Sequence, residues 1–476
     1  MNNSSPPRTV TSQREKLDLK TKIAYGAGEL GGAIPNNILV FFVLFFFTNV
    51  AGLNASLAGS LILVGKAWDS INDPLIGWLS DKTRSRLGRR YPWMLIGAVP
   101  LAICFFLLWF TPPIANQWLK FAYYNIIFIL YYAAVSSVWI PYSTLGAELT
   151  TTYNERTNVT GFRSAFAIGG SIFALILAQI ILGIFKAPQS YLYMAGIASL
   201  ISFLAVYFCV WGTYKRYKII QNQREQIKRE PSEPILKQVK IVLSNKPFLC
   251  VMGIYLCSWL GTQVTAAVLP YFVVDWMQLP KTHFTQVALA IQGTALILMP
   301  FWSILGQKIG KKAIYCMGIP GTIIAQAGFF FLQPGQTTLM YILSVMAGIG
   351  ISVAYITPFA MLPDVVDLDE LNTGQRREGI FYGFIVQTQK LCVAVAIFLV
   401  GKILDSSGLI PAVGTEVQPV QPDSVLLAIR LIIGPIPTLI LILGFVIAYI
   451  YPITKSKHEE IVLKIKEGNR ALGIRN

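Results

Sequence analysis

Charge is the first scarcity. Asp, Glu, Lys and Arg make up 13% of the 476 residues, against 54% hydrophobic ones, where a soluble domain carries roughly 25% charged residues. So little charge cannot cover a solvated surface. A string of soluble domains is excluded, and most of the surface is left to face lipid. Histidine is nearly absent. The two present, His283 and His458, both lie outside the expected membrane core, which removes His-based metal and acid–base centres. The six cysteines (Cys104, Cys209, Cys250, Cys257, Cys316 and Cys392) all fall inside apolar runs. They read as buried free thiols, with neither a disulfide nor a metal framework. No Gly-x-x-x-x-Gly-Lys-Ser/Thr loop occurs, so ATP does not drive the protein directly. No nucleophile–base constellation stands out, and an enzyme is not expected. Residues 1–22 are polar with Pro and Ser, and no signal peptide is recognised there.

Long apolar stretches are what the chain has in abundance. Runs of twenty or more residues recur from Gly26 to Tyr451, each long enough to cross a ~30 Å hydrocarbon core. The expected spans are 26–50, 55–80, 93–111, 118–142, 158–183, 189–213, 247–275, 284–309, 313–333, 337–363, 378–405 and 425–451. The fold class is therefore an all-α membrane protein of twelve transmembrane helices. A polar stretch at 214–246, helical in part, separates two six-helix bundles, 26–213 and 247–451. Tails at 1–25 and 452–476 complete the chain.

The net charge of +16 could point to nucleic acid, but its placement does not. Lys82, Arg84, Arg86, Arg89 and Arg90 fill one connection. Lys215, Arg216, Lys218, Arg224, Lys228, Arg229, Lys237, Lys240 and Lys246 fill another, and Lys308, Lys311 and Lys312 a third. The alternate loops, near Asn54, Pro113, Gln189 and Pro334, are short and nearly uncharged. This is the positive-inside pattern. It places both termini in the cytoplasm of a cell (plasma or inner) membrane, with lipid rather than nucleic acid as partner. A monomer is expected.

The two halves resemble each other. Gly88-Arg89-Arg90 follows the second span and Gly310-Lys311-Lys312 the eighth, 222 residues later. Pro141-Tyr142 closes the fourth expected span and Pro358-Phe359 the tenth, 217 residues later. A parallel duplication of six helices is the layout of the major facilitator superfamily, whose substrate site lies between the halves near the midplane.

The chemistry concentrates in Lys66-Ala67-Trp68-Asp69-Ser70-Ile71-Asn72-Asp73-Pro74. An acid in mid-span costs at least ~2.5 kcal/mol, so Asp69 should face protein or a water-filled cavity. Asn72 and Asp73 follow at i+3 and i+4, on the same side of the helix. Pro74 lacks an N–H and leaves the Ser70 carbonyl without its helical partner. The turn thus offers carboxylates, an amide oxygen and a freed carbonyl. That set suits Na⁺, and the same two acids could carry a proton as a coupled pair. The competing reading is structural: Lys66 neutralises Asp69 within the helix and Asp73 latches to a loop cation. Asp81, with Arg84, Arg89 and Arg90, reads as a charge latch between helices at the membrane edge.

Lys390, in mid-span within Gln387-Thr388-Gln389-Lys390, needs an anionic partner. Either it meets the acids of the second span across the two halves, directly or through substrate, or it pairs permanently within its own half. The fourth span is rich in rings: Tyr123, Tyr124, Tyr131, Tyr132, Trp139 and Tyr142. These serve packing or interface anchoring more often than ligands. Ser136 and Trp139, next to Pro141, are the candidates for a site. Arg163 either holds a loop or contacts substrate. Glu29, Asn36 and Asn37 make the first span polar and are candidates to line a cavity. The acids Asp364, Asp367, Asp369 and Glu370 are expected in a solvated or Arg-paired loop after the tenth span.

Several of these segments resemble the glycoside–pentoside–hexuronide:cation symporter family, of which the melibiose permease is the best-known kind. They are Trp68-Asp69-Ser70-Ile71-Asn72-Asp73-Pro74-Leu75-Ile76-Gly77 and Asp81 through Trp93, with Ile140-Pro141-Tyr142, Asp364-Val365-Val366-Asp367, Glu378-Gly379-Ile380-Phe381-Tyr382 and Tyr25-Gly26-Ala27-Gly28. The resemblance implies the major facilitator fold and a symporter working by alternating access. It implies a Na⁺, Li⁺ or H⁺ site at Asp69, Asn72, Asp73 and Ser136, and puts Lys390 at the family's eleventh-helix lysine. The family's sugar permeases carry an acid in the first helix and another in the fourth. Here Ala33 and Trp139 stand in those places, and Ser143 replaces a tryptophan. A related branch moves lysophospholipids with Na⁺. A glycoside or related sugar is the expected substrate and a lysolipid the alternative. Trp139, Arg163, Lys390 and Asn37 are the candidate substrate contacts.

Overall fold

The computed structural model describes residues 17–150, 153–224, 235–373, 377–411 and 419–471. Parts of the expected linker and of both tails lie outside the described residues, among them the linker cations Lys228 and Arg229. The described chain is built of helices. Lipid offers no hydrogen bonds, and a helix satisfies its backbone within one segment.

The twelve membrane helices are α1 (Leu19–Val50), α2 (Ala55–Lys82), α3 (Tyr91–Leu108), α4 (Gln117–Glu148), α5 (Tyr153–Ile184), α6 (Gln189–Arg224), α7 (Lys246–Trp276), α8 (Thr282–Ile309), α9 (Lys311–Phe331), α10 (Thr337–Thr373), α11 (Glu378–Ser406) and α12 (Asp423–Ile450). Eleven are long and apolar enough to cross a membrane. The remaining one, α2, is 28 residues long, and its middle carries Lys66, Asp69, Asn72 and Asp73. A short helix, Ile235–Ser244, lies in the linker, and Lys455–Ala471 follows α12.

Local chemistry sets several boundaries. The Asn116 side chain caps α4 by accepting from the N–H groups of Trp118 and Leu119, and Asn245 caps α7 through Phe248. Gly310, at φ 97°, makes the turn between α8 and α9, a conformation that costs glycine little. The helix of α1 is interrupted at Glu29. Both α1 and α7, the first helices of their halves, end in a π-helical turn, Phe46–Val50 and Phe272–Trp276. This adds a structural sign of the duplication.

Several helix ends differ from expectation: α1 begins at Leu19 rather than at 26, α6 runs to Arg224 rather than to 213 and so into the expected linker, and two expected stops at proline do not hold. α4 contains Pro141 and runs on to Glu148, and α10 contains Pro358 and Pro363 and runs on to Thr373. Proline removes one N–H but does not stop a helix that neighbours hold in place. The acids Asp364, Asp367, Asp369 and Glu370 therefore lie on a helix rather than in a loop. Asp364 and Asp369 are buried, paired with Lys311 (2.5 Å) and Arg377 (2.8 Å). Cys250, Cys316 and Cys392 are only half-buried, while all six cysteines are free thiols.

Packing is uneven along the membrane normal. At the ends remote from the basic loops one apolar cluster runs through both halves, joining Phe42, Phe45 and Phe46 of α1 to Tyr271, Phe272 and Phe284. Thr48 and Tyr271 share a hydrogen bond of 2.6 Å there. Gly59 and Gly401 let α2 and α11 touch: a Cβ on Gly401 would sit 2.4 Å from the Ala55 carbonyl oxygen. At the basic ends the second half forms a separate cluster around Phe248, Tyr315, Met361 and Phe381. The halves are thus sealed together on the side away from the basic loops.

Candidate functional site

The charged residues of α2 face inward. Asp69 is 2% exposed, Asn72 3% and Asp73 8%. Ser136, across on α4, is fully buried and reaches both acids: its Oγ lies 2.7 Å from Asp73 Oδ1 and 3.3 Å from Asp69 Oδ1. The same hydroxyl stands 3.0 Å from the Tyr132 carbonyl oxygen, and its single proton can serve only one of these acceptors at a time. From the other half, Lys390 of α11 reaches Asp69 Oδ2 at 2.8 Å and Asp73 Oδ2 at 2.5 Å. One ammonium therefore bridges two carboxylates and ties α2 to α11. The Asn72 Nδ2 is buried without a hydrogen-bond partner among the described residues, a rarity that asks for an explanation.

Lys66 does not neutralise Asp69. Its ammonium sits over the Tyr132 ring, 4.8 Å from the centroid. The within-helix pairing weighed against a cation site is therefore not what this structure holds, nor is Lys390 paired within its own half.

Beside the cluster is a cavity of about 380 Å³ lined by Asp69, Asp73, Lys390, Lys66, Tyr131 and Trp139, among others. Gly32 lets the Trp139 ring lie against α1, since a Cβ there would be 2.1 Å from Trp139 Cζ2. A second cavity, of about 290 Å³, is lined by Asn36, Asn37, Gln263, Gln292, Trp259 and Tyr355, among others. Glu29, Ala33 and Asn36 border both. Asn37 donates to Ser171 Oγ at 2.7 Å and accepts from Gln292 Nε2 of the other half at 3.4 Å. Arg163 pairs with Glu29 at 2.7 Å and lies over the Tyr142 ring. Its charge is balanced before any ligand arrives.

The latch residues meet in part. Arg90, 1% exposed, binds Asp81 at 2.5 Å, Glu148 at 3.3 Å and Ser80 Oγ at 2.8 Å, while Arg89 binds Glu148 at 2.6 Å. Arg84 is exposed and stands outside this cluster. Glu148 lies beyond Pro141, where the sequence suggests that α4 ends. The one signal for it is a lone acid after a long apolar run. In the second half Lys311 and Asp364 repeat the Arg89–Glu148 pair. Gln263 and Gln292 are missed too, as single amides on otherwise apolar spans.

Comparison with known proteins agrees with this architecture. Residues 24–455 match the family described as MFS/sugar transport protein. An uncharacterized symporter of Synechocystis sp. is 42% identical over 94% of this chain and 96% of its own length. The sodium-dependent lysophosphatidylcholine symporter 1-A of Danio rerio is 26% identical over 94% of this chain and 88% of its own. Among solved structures, the nucleoside transporter NupG superposes with a TM-score of 0.63 at 14% identity, covering 92% of this chain and all of that one (100%). The inward-open xylose transporter XylE from E. coli gives 0.55 at 14% identity, covering 94% and 97%. These two likenesses concern the fold. The chain belongs to the MFS/sugar transport protein family and is a multi-pass membrane transporter of the symporter kind, not an enzyme.

Proposed function

We propose that the chain couples the entry of a cation, Na⁺ or H⁺, to the movement of a neutral, hydroxylated solute of the sugar or glycoside class. The observation that carries the reading is the bridge from Lys390 to Asp69 and Asp73 beside a cavity between the halves. An incoming cation competes with the ammonium for the same carboxylate oxygens, with Ser136 and Asn72 completing its surroundings. Loading the cation frees Lys390, unties α2 from α11 and turns the amine toward the cavity. Substrate and ion thus meet through one side chain, and each senses the other.

The cavity walls support this class of solute. Amides and hydroxyls of Asn36, Asn37, Gln263, Gln292 and Thr262, with the rings of Trp139, Trp259 and Tyr355, line the two cavities. Glu29 and Arg163 cancel each other. Such walls suit a ligand that offers hydroxyls and ring faces and carries no net charge. A second reading, a Na⁺-coupled lysophospholipid carrier, is favoured by the sodium-dependent lysophosphatidylcholine symporters among the relatives and by the aromatic wall of α4. Asp81, Arg89 and Arg90, with Glu148, act as the latch that holds the first half together while the halves rock.

The basic loops argue for both termini in the cytoplasm of a cell membrane. On that orientation the sealed side is external and the molecule faces inward. The deciding experiment is uptake into proteoliposomes, with glycosides and with lysophosphatidylcholine, under an imposed Na⁺ or pH gradient. Uptake of a glycoside driven by either gradient supports the proposal. Gradient-driven uptake of lysophosphatidylcholine alone selects the second reading, and gradient-independent uptake of both removes the coupling.

A further inference from the structure

The two halves handle their repeated basic turns differently. In the first half, Arg89 and Arg90 are balanced by Glu148 and Asp81. In the second, Lys311 is balanced by Asp364, but the position that answers to Asp81, seven residues before the turn glycine, is Ser303. Lys312 therefore lacks, among the described residues, the acid that Arg90 has. Its ammonium rests on the carbonyl oxygens of Tyr449, at 2.6 Å, and Tyr451, at 2.9 Å. Lys455, at the start of the helix after α12, likewise donates to the carbonyl oxygens of Gln307 and Lys308, both at 3.0 Å. The acid beside it, Glu459, is 4.0 Å away and largely exposed.

These two lysines line a cavity of about 480 Å³ at the basic end of α8, α9, α10 and α12, away from the central site. Asp364 and Glu459 border it as well: Asp364 is taken up by Lys311 and by His458 at 3.3 Å, and the lining lysines Lys311, Lys312 and Lys455 outnumber these two acids. The first turn of α9 also lines the cavity, beginning at Gly310 without a side-chain cap and without an acid. The free N–H groups of that turn favour an anion. The membrane face beside the cavity is apolar: Tyr449 is 71% exposed and Ile450 64%. An excess of cation sits against a lipid-facing wall.

We propose that this cavity binds the phosphate of an anionic phospholipid headgroup, held by Lys312, Lys455 and the first turn of α9, with the acyl chains along the outer face of α12. Basic pockets between helices on the basic side of membrane proteins suit such headgroups. The chemistry recognised is a phosphate monoanion, which a free phosphate ion shares. The wall at Tyr449 and Ile450 argues for the lipid.

The test is lipid binding to the delipidated full chain in a neutral detergent, followed by native mass spectrometry and thermal unfolding. The probes are phosphatidylglycerol, phosphatidylcholine and inorganic phosphate. Phosphatidylglycerol should bind wild type and raise its melting temperature, and phosphatidylcholine should bind more weakly. Lys312→Gln and Lys455→Gln should each weaken phosphatidylglycerol by about fivefold, the factor for the ~1 kcal/mol of one basic residue near a membrane surface. Lys402→Gln, an exposed lysine at the far end of α11, should leave it unchanged. Should Lys312→Gln fail to fold, Lys455→Gln, at an exposed position, carries the test alone. Equal affinity of wild type and Lys455→Gln for phosphatidylglycerol overturns the proposal. So does equal binding of the two lipids, or stabilisation by inorganic phosphate with no retention of lipid.

Discussion

Replacing Lys390 with alanine probes the junction of the two halves. In the wild type one ammonium satisfies two carboxylates that are 2% and 8% exposed. Removing one partner of a buried ion pair costs about 3–5 kcal/mol, because the remaining charge is left uncompensated. Lys390 itself keeps 22% of its side chain exposed, so water screens part of the interaction and the lower end of that range is expected. The site left behind, two carboxylates and the Ser136 hydroxyl, is then free of its internal competitor. A cation that binds only the folded state stabilises it by about 2.7 kcal/mol at one hundred times its Kd. Lys390→Ala should therefore unfold at a lower temperature than wild type in choline chloride and recover most of the difference in NaCl, or at lower pH if the ion is a proton. The wild type, in which the ion must displace Lys390, should respond less. Coupled uptake should fall in the variant even where folding is restored. The assay is thermal unfolding of purified protein across a NaCl series at constant ionic strength and at two pH values. If the variant melts like wild type, and responds to salt and pH like wild type, the bridge is a static contact and the competition argument fails.

Three further outcomes follow from the same geometry. Asp69→Cys and Asp73→Cys should each abolish ion-dependent uptake while leaving a folded protein, checked by gradient-driven uptake beside a size-exclusion profile; a normal Na⁺ or pH dependence in both would displace the cation site. Gly401→Val places side-chain atoms where a Cβ is already 2.4 Å from the Ala55 carbonyl oxygen. It should open the sealed side and shift the population of states, read as increased labelling of a cysteine introduced near Thr48; unchanged labelling would show that α2 and α11 yield there without opening. Tags at residues 1 and 476 should both be reached only after permeabilising cells, and access from outside intact cells would reverse the orientation.

The sequence made most of the site legible because burying charge in a membrane is so costly. Asp69, Asp73 and Lys390 stand out against apolar runs, and each calls for a partner, which for Lys390 could lie across the halves or within its own. Spacing alone could not choose between Lys66 and Lys390 as the counter-ion. That choice depends on the packing of α2 against α11, which Gly59 and Gly401 permit and which no local pattern records. Several helix ends were legible from hydropathy alone, as at Ala55, Gln189, Thr337 and Glu378, and the end of α8 at Ile309 precedes the turn glycine Gly310. A proline inside a helix held by its neighbours, as at Pro141 and Pro358, looks like a helix end in the sequence, which hides Glu148 and the helical placement of Asp364. The pairing of Glu29 with Arg163 joins residues 134 positions apart, and the sequence showed each as a lone charge with several possible roles.

Coupling itself is tested most directly by the reciprocity of binding. If the ion and the solute meet through Lys390, each must raise the affinity for the other by the same factor, about 5–150-fold in the usual range of such couplings. Binding isotherms for a glycoside should be measured on the purified protein at zero and saturating Na⁺ and at two pH values, with ion isotherms at zero and saturating glycoside. The account predicts equal factors in both directions in wild type and their loss in Asp73→Cys. Identical glycoside affinity under every ion condition would contradict it, leaving facilitated diffusion and Asp69 and Asp73 as structural charges.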